Sequence, residues 1–204
     1  MKSLLLPALF ALSPLAAADV TELVRAELPS LVALYQELHA NPELSLQEVE
    51  TAARVAKELR AAGFEVTEKA GGHGVVGVLK NGEGPVIMVR TDLDALPVKE
   101  QTGAPYASVK QVKDEQGREV HVMHACGHDI HMASFIGTAR VLAQTRDQWR
   151  GTVVMVGQPA EERVLGARLM LRAGLFTKFP KPDKALALHC ASDMAHGPVG
   201  IVEG

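Results

Sequence analysis

Apolar and polar positions along the chain change period several times, and the changes mark out its elements. Over residues 20–40 apolar side chains recur at helical spacing, with Leu31, Leu34, Tyr35 and Leu38 on one face; this predicts a helix with an interruption near Pro29. Asn41-Pro42 ends it, because the residue before a proline is steered away from helical angles. Val49, Ala52, Ala53, Ala56 and Leu59 predict a second helix, opened by Ser45-Leu46-Gln47-Glu48 as a capping box and stopped at Gly63. The pattern then turns to strands. A β segment is expected over 64–67, followed by a glycine-rich turn at Gly71, Gly72 and Gly74. The β-branched runs 75–79 and 86–89, joined through Asn81-Gly82, carry a hairpin signal.

Residues 91–117 read as one long loop containing Pro97, Gly103 and Pro105, a length that points to a functional segment. A helix is expected over 129–148, with Met132, Phe135, Ile136, Ala139 and Leu142 on its apolar side. Buried strands are expected over 152–156 and 185–188, with a short helix over 165–173 between them. Strands alternating with helices predict an α/β domain whose mixed sheet is sandwiched by helices on both faces.

Composition narrows the classes of function. The chain has 204 residues, 47% hydrophobic and 22% charged, ordinary for one globular domain. A net charge of -3, with no Lys/Arg block and only 4% aromatics, gives neither an electrostatic nor a stacking surface for nucleic acid. The first eighteen residues differ from the rest: Lys2, an apolar stretch from Leu4 to Leu15, then Ala16, Ala17 and Ala18 before Asp19. That order reads as a signal peptide, too short for a comfortable membrane span, with an uncleaved N-terminal anchor as the alternative; the mature chain is expected to begin near Asp19, free of the membrane and periplasmic or secreted.

The densest candidate chemistry is His124-Ala125-Cys126-Gly127-His128-Asp129-Ile130-His131. A thiolate and an imidazole two residues apart on a glycine-containing turn can converge on one cation, although a structural site or a redox thiol uses the same residues. Cys126, close to a helix N-terminus, is expected to have a lowered pKa. Glu161 and Glu162, in Gln158-Pro159-Ala160-Glu161-Glu162 after an apolar strand, can point one carboxylate to a metal and the other to a water; an isolated pair of this kind more often lies in a solvated acidic loop. His189 and the Asp92/Asp94 pair also follow strands, where open α/β sheets place their sites. His131 either supports the site or packs, and His196 is expected in a solvated turn.

Five strings occur in one order: LHANPELSLQE (38–48), RTDLDALPVKEQTGAPYAS (90–108), HACGHDIHMA (124–133), GQPAEE (157–162) and ALH (187–189). Together they resemble the metallopeptidase-like amidohydrolase family of hippurate hydrolase, indole-acetyl-amino-acid hydrolase and N-acetyl-diaminopimelate deacetylase, relatives of aminoacylase and glutamate carboxypeptidase. The resemblance runs over residues 20–204, and HACGHD with QPAEE is its most specific part. It implies a zinc-exopeptidase-like catalytic domain that holds two divalent metal ions. Zinc or manganese are expected, with nickel or cobalt also suited to such donors. It further implies Cys126, His128, Glu162 and His189 as metal ligands, Glu161 as general acid/base and Asp92 as the carboxylate that fixes a ligand from behind.

The implied substrate is a small N-acyl amino acid, cleaved at its amide bond; a dipeptide, or a metal-binding fragment without activity, are the alternatives. Family members continue into a lid domain, often dimerising, and return with a further histidine. Residues 19–204 are therefore expected to be the N-terminal part of the catalytic domain, inactive alone, with any homodimer formed through the lid. A Cys126–Cys190 disulfide competes with ligation by Cys126, but a strand that aims His189 at the metals turns Cys190 to the opposite face.

Overall fold

Asp19 opens the first helix, α1 (Val20–Ala40), its carboxylate accepting the Thr21 N–H at 2.8 Å. The computed structural model describes residues 19–191, 194, 197 and 199–201, so the expected signal peptide and His196 lie outside the described residues. Pro29 sits within α1 without ending it, and Leu34 and Leu38 are buried on the inner face. α2 (Val49–Ala61) follows, but the expected capping box does not form. Ser45 Oγ donates instead to Asp94 at 2.6 Å, and the Glu48 carboxylate accepts the distant Ala160 N–H at 2.7 Å. Glu43 takes over the cap, its two oxygens accepting the N–H groups of Glu50 and Thr51 at 3.2 and 2.8 Å.

The remaining elements are β1 (Glu65–Thr67), β2 (Val75–Asn81), β3 (Val86–Asp92), β4 (Gln111–Lys113), β5 (Glu119–His121), α3 (His128–Gln144), β6 (Gly151–Gln158), α4 (Gly166–Arg172), α5 (Leu175–Lys178) and β7 (Lys184–Ala187). The main sheet runs β1-β2-β6-β3-β7; β1, β2 and β6 pair antiparallel, while β3 is parallel to both β6 and β7. β4, inside what the sequence read as one long loop, and β5, just beyond it, form a separate antiparallel pair packed with Leu44, Ala95 and Val122.

The expected β2–β3 hairpin is therefore absent. β6, buried along nearly its whole length, lies between them, and the Asn81 amide is engaged by the carbonyls of Arg146 and Trp149, both at 2.6 Å. Alternation along the central strands serves two cores. Val75, Leu79, Val153 and Met155 pack against α1, α2 and α3 through Leu38, Leu59, Met132, Phe135 and Ile136. Val76, Val154 and Val156 turn to the other face and meet Met170 of α4 and Leu175 of α5. The predicted mixed sheet between helical layers is present. β7 departs from expectation: it is exposed at every position, with Leu186 at 62%, at the edge of the sheet where it pairs with β3. Among the described residues no helix is long and apolar enough to cross a membrane.

Candidate metal centre

β3, β6 and β7 run parallel, so their C-terminal ends come to one edge of the sheet. Asp92 is the last residue of β3 and pairs in register with Gln158, the last of β6. Beyond β6 the chain turns through Ala160, at φ +46°, and delivers Glu161 and Glu162; beyond β7 it reaches His189. α3 starts at the same edge. Its N-cap, Gly127, has φ +76°, a left-handed conformation that glycine adopts without a Cβ penalty. This puts Cys126 on the turn and His128 on the first helical turn.

The His128 ring, 1% exposed, is fixed from behind: Nδ1–H donates to the Asp94 carbonyl at 2.8 Å. In the neutral ring that leaves the lone pair on Nε2. Nε2 faces three carboxylate oxygens, Asp92 Oδ2 at 3.6 Å, Glu161 Oε2 at 3.7 Å and Glu162 Oε1 at 3.7 Å, with no hydrogen bond to any of them. Asp92 Oδ2 and Glu162 Oε1 are likewise buried without a hydrogen-bond partner. Orphaned buried acceptors that face each other are costly unless a cation lies between them.

Two overlapping donor groups result, each with its ligand atoms within 4.8 Å of one another: Cys126, His128 and Glu162; and Asp92, His128, His131 and His189. Thiol, imidazole and carboxylate donors together suit a borderline divalent cation, so the residues fit the metal that the sequence implied. All six sequence-expected residues therefore meet at one site. Asp92 faces the open nitrogen of His128, and it is the Asp94 backbone that holds the ring from behind. His189 donates from Nδ1 to the Cys190 carbonyl at 2.7 Å, and its Nε2 lies 3.5 Å from Cys126 Sγ. Arg90 neutralises part of the negative charge, pairing with Asp92 Oδ1 and donating to Gln158 at 3.0 Å.

A scan against family models matches residues 88–204 to peptidase family M20/M25/M40. The chain belongs to this family. An N-acetylcysteine deacetylase of Bacillus subtilis is 40% identical over 176 residues, 85% of this chain and 43% of the deacetylase. The hippurate hydrolase of Campylobacter jejuni is 44% identical over 144 residues, 70% of this chain and 35% of the hydrolase. A solved M20 structure from Bacillus subtilis, described as a dinuclear metal-binding peptidase, matches with a TM-score of 0.77 at 38% identity, over 88% of this chain and 47% of that one. The chain thus spans less than half the length of these relatives.

Three electrostatic features of this M20 chain depart from the sequence reading or were missed by it. The Cys126 thiol is pushed up to about 11, by burial first and then by Glu162, Glu161 and Asp92, where a lowered value was expected from the helix N-terminus. Several nearby carboxylates outweigh a partial helix charge. The second concerns His128: burial works against its charge, but the Asp94 hydrogen bond and the charges of Asp92 and Asp94 raise its pKa overall. The third lies behind α3, where His39 is buried between Asp129 Oδ2 at 2.6 Å and Glu100 Oε1 at 3.0 Å. No periodicity marks this trio; the only signal was a charged residue in each of three quoted strings.

Both cysteines are free. The strand argument that turned Cys190 away does not apply, because β7 ends at Ala187 and Cys190 lies beyond it. A Cβ placed on Gly127 would stand 3.2 Å from Cys190 Sγ, so Cys190 packs onto the turn that carries Cys126.

Proposed function

We propose that this chain forms part of a metal-dependent amidohydrolase that cleaves the amide bond of N-acyl amino acids. The observation that carries the reading is His128 Nε2, buried and unpartnered, facing oxygens of Asp92, Glu161 and Glu162 at 3.6–3.7 Å. In this reading Cys126, His128, Glu162 and His189 hold two divalent ions, zinc or manganese with nickel or cobalt as alternatives. Such ions, when bound, polarise the amide carbonyl and acidify a water.

The two adjacent glutamates divide the work by their surroundings. The Glu162 backbone N–H is held by Asp94 Oδ2 at 3.1 Å, and its side chain clusters with Cys126 and His128. The Glu161 side chain, 35% exposed, stands outside both donor groups, free to take a proton from the attacking water and return it to the leaving amine. The two relatives described above, a deacetylase of N-acetylcysteine and a hippurate hydrolase, favour an N-acyl amino acid over a dipeptide. The leader-like residues 1–18 support a periplasmic or secreted protein.

The test compares Glu161→Gln with Glu162→Gln in the full-length enzyme of which this chain forms part. Glu161→Gln should retain metal by elemental analysis and lower amine release from N-acetyl amino acids and hippurate by roughly 10²–10⁴-fold. Glu162→Gln should lose metal. The reverse pattern would refute the division of roles, and a wild-type protein that binds no divalent metal would refute the function.

A further inference from the structure

His131 belongs to the second donor group, yet its Nε2 is already committed to a backbone hydrogen bond. The ring is 2% exposed. Nε2 lies 2.8 Å from the backbone nitrogen of Cys190, and a peptide N–H can only donate, so Nε2 is the acceptor. A neutral imidazole has one lone pair and one N–H. With the lone pair on Nε2 in use, Nδ1 carries the hydrogen, and Nδ1 faces Asp92 Oδ2 at 3.4 Å. In this tautomer neither nitrogen offers a cation a lone pair, although Nδ1 makes no hydrogen bond and the ring lies 4.6 Å from that of His189 and 5.4 Å from that of His128.

What His131 holds is the Cys190 peptide. The Cys190 carbonyl accepts Nδ1–H of His189 at 2.7 Å, so the residue gripped by His131 through its N–H grips the His189 ring through its oxygen. This matters because β7, which leads into His189, is exposed along its length and pairs only with β3 among the described residues. Strand pairing with β3 stops at Ala187, two residues short of His189. The packing of Cys190 Sγ over Gly127 adds a second point of attachment to the same turn.

We propose that His131 is a positioning residue that holds the Cys190 backbone and thereby aims His189 at the metal centre. The inference rests on the proposed metal-binding function only for its effect on affinity; the clamp itself exists without metal. Groups that orient a ligand from outside the coordination shell typically change metal affinity by about 10–100-fold.

Two measurements on the purified chain test it. In metal-free, ¹⁵N-labelled protein, the ring shifts of His131 should report the Nδ1–H form, and the Cys190 amide should exchange roughly ten-fold or more slower than in His131→Leu. His131→Gln, whose amide oxygen can accept the same N–H, should restore that protection. In zinc titrations against a competing chelator, His131→Leu should weaken binding about 10–100-fold, with His131→Gln close to wild type. An Nε2–H tautomer, or a Cys190 amide indifferent to both substitutions, would overturn the clamp. His131→Gln losing an ion as fully as His131→Leu would make His131 a ligand instead. Failure of the wild type to bind zinc would remove the proposed function, while the exchange and tautomer data would still decide the clamp.

Discussion

Replacing His39 by leucine tests the buried trio behind α3 directly. The wild-type ring is a bridge with two ends: Nδ1 to Asp129 at 2.6 Å and Nε2 to Glu100 at 3.0 Å, with all three side chains at 8% exposure or less. Tyr35 and Tyr106 close the remaining sides, their rings 5.6 and 5.3 Å from the imidazole. Burial opposes the imidazolium, but the hydrogen bonds and charges of Glu100 and Asp129 prevail and raise its pKa; the same contacts hold Glu100 below its ordinary value against its own burial. His39→Leu leaves two buried carboxylates without their cation, a loss of about 3–5 kcal/mol. For a chain of this size that is roughly 6–20 °C in melting temperature.

The pH dependence has a definite sign. A histidine with a raised folded pKa contributes fully below its unfolded value of about 6.5, and the contribution is lost as pH rises through the folded pKa. Glu100 contributes above its unfolded value, and its share is lost as pH falls through its folded pKa. The gap between wild type and His39→Leu should therefore be widest near pH 6 and shrink on the alkaline side by up to about 1.4 kcal/mol per pH unit. Urea unfolding followed by circular dichroism, in chelator at pH 6 and at pH 9, measures it. A gap below about 1 kcal/mol at pH 6, or one that does not change with pH, would refute a buried imidazolium here.

Glu48 is fully buried, holds the Ala160 N–H, and has its pKa raised by burial ahead of its hydrogen bonds. Its charged form is thus the costly one: Glu48→Gln should lie within about 1 kcal/mol of wild type and gain on it as pH rises, whereas Glu48→Ala should lose about 1–3 kcal/mol, both by urea unfolding. Residues 19–204 should retain fewer than two tightly bound ions after dialysis, by elemental analysis, because His128 is shared between both donor groups and His131 is committed elsewhere. The same material should release amine from hippurate negligibly; two retained ions with robust turnover would refute both statements. Exported protein should begin near Asp19 on N-terminal sequencing, and material still starting at Met1 would remove the signal-peptide reading.

Helical spacing located α1, α2 and α3 within a few residues, because each buries one stripe against the sheet and the stripe is written in the sequence. Strand order was not legible. The Asn81-Gly82 signal is local, while the pairing of β2 with β6 is decided by where long apolar runs find a buried slot. β7 looked like a core strand from Ala185 to Leu188, yet it stands exposed at the edge of the sheet, a place that no local pattern encodes. At the site, the motifs supplied the donor types and all six expected residues converge. They could not supply the tautomers. Which nitrogen of His128 or His131 is open depends on the Asp94 carbonyl and the Cys190 N–H, backbone groups with no signature in side-chain identity.

The insertion of β6 between β2 and β3 sets an order of events. Two strands that are neighbours in the chain must wait for residues 151–158 before either has its partner on that side. Until then each presents an unpaired edge rich in β-branched residues, the kind of edge that joins other chains. Closing the slot is a long-range step, of the class that sets slow folding. Asp92 ends one wall of the slot and Glu162 follows the strand that fills it, so their approach to His128 dates from the same step. Cation uptake followed in real time would therefore act as a clock for sheet closure, starting only once the last central strand has gone in.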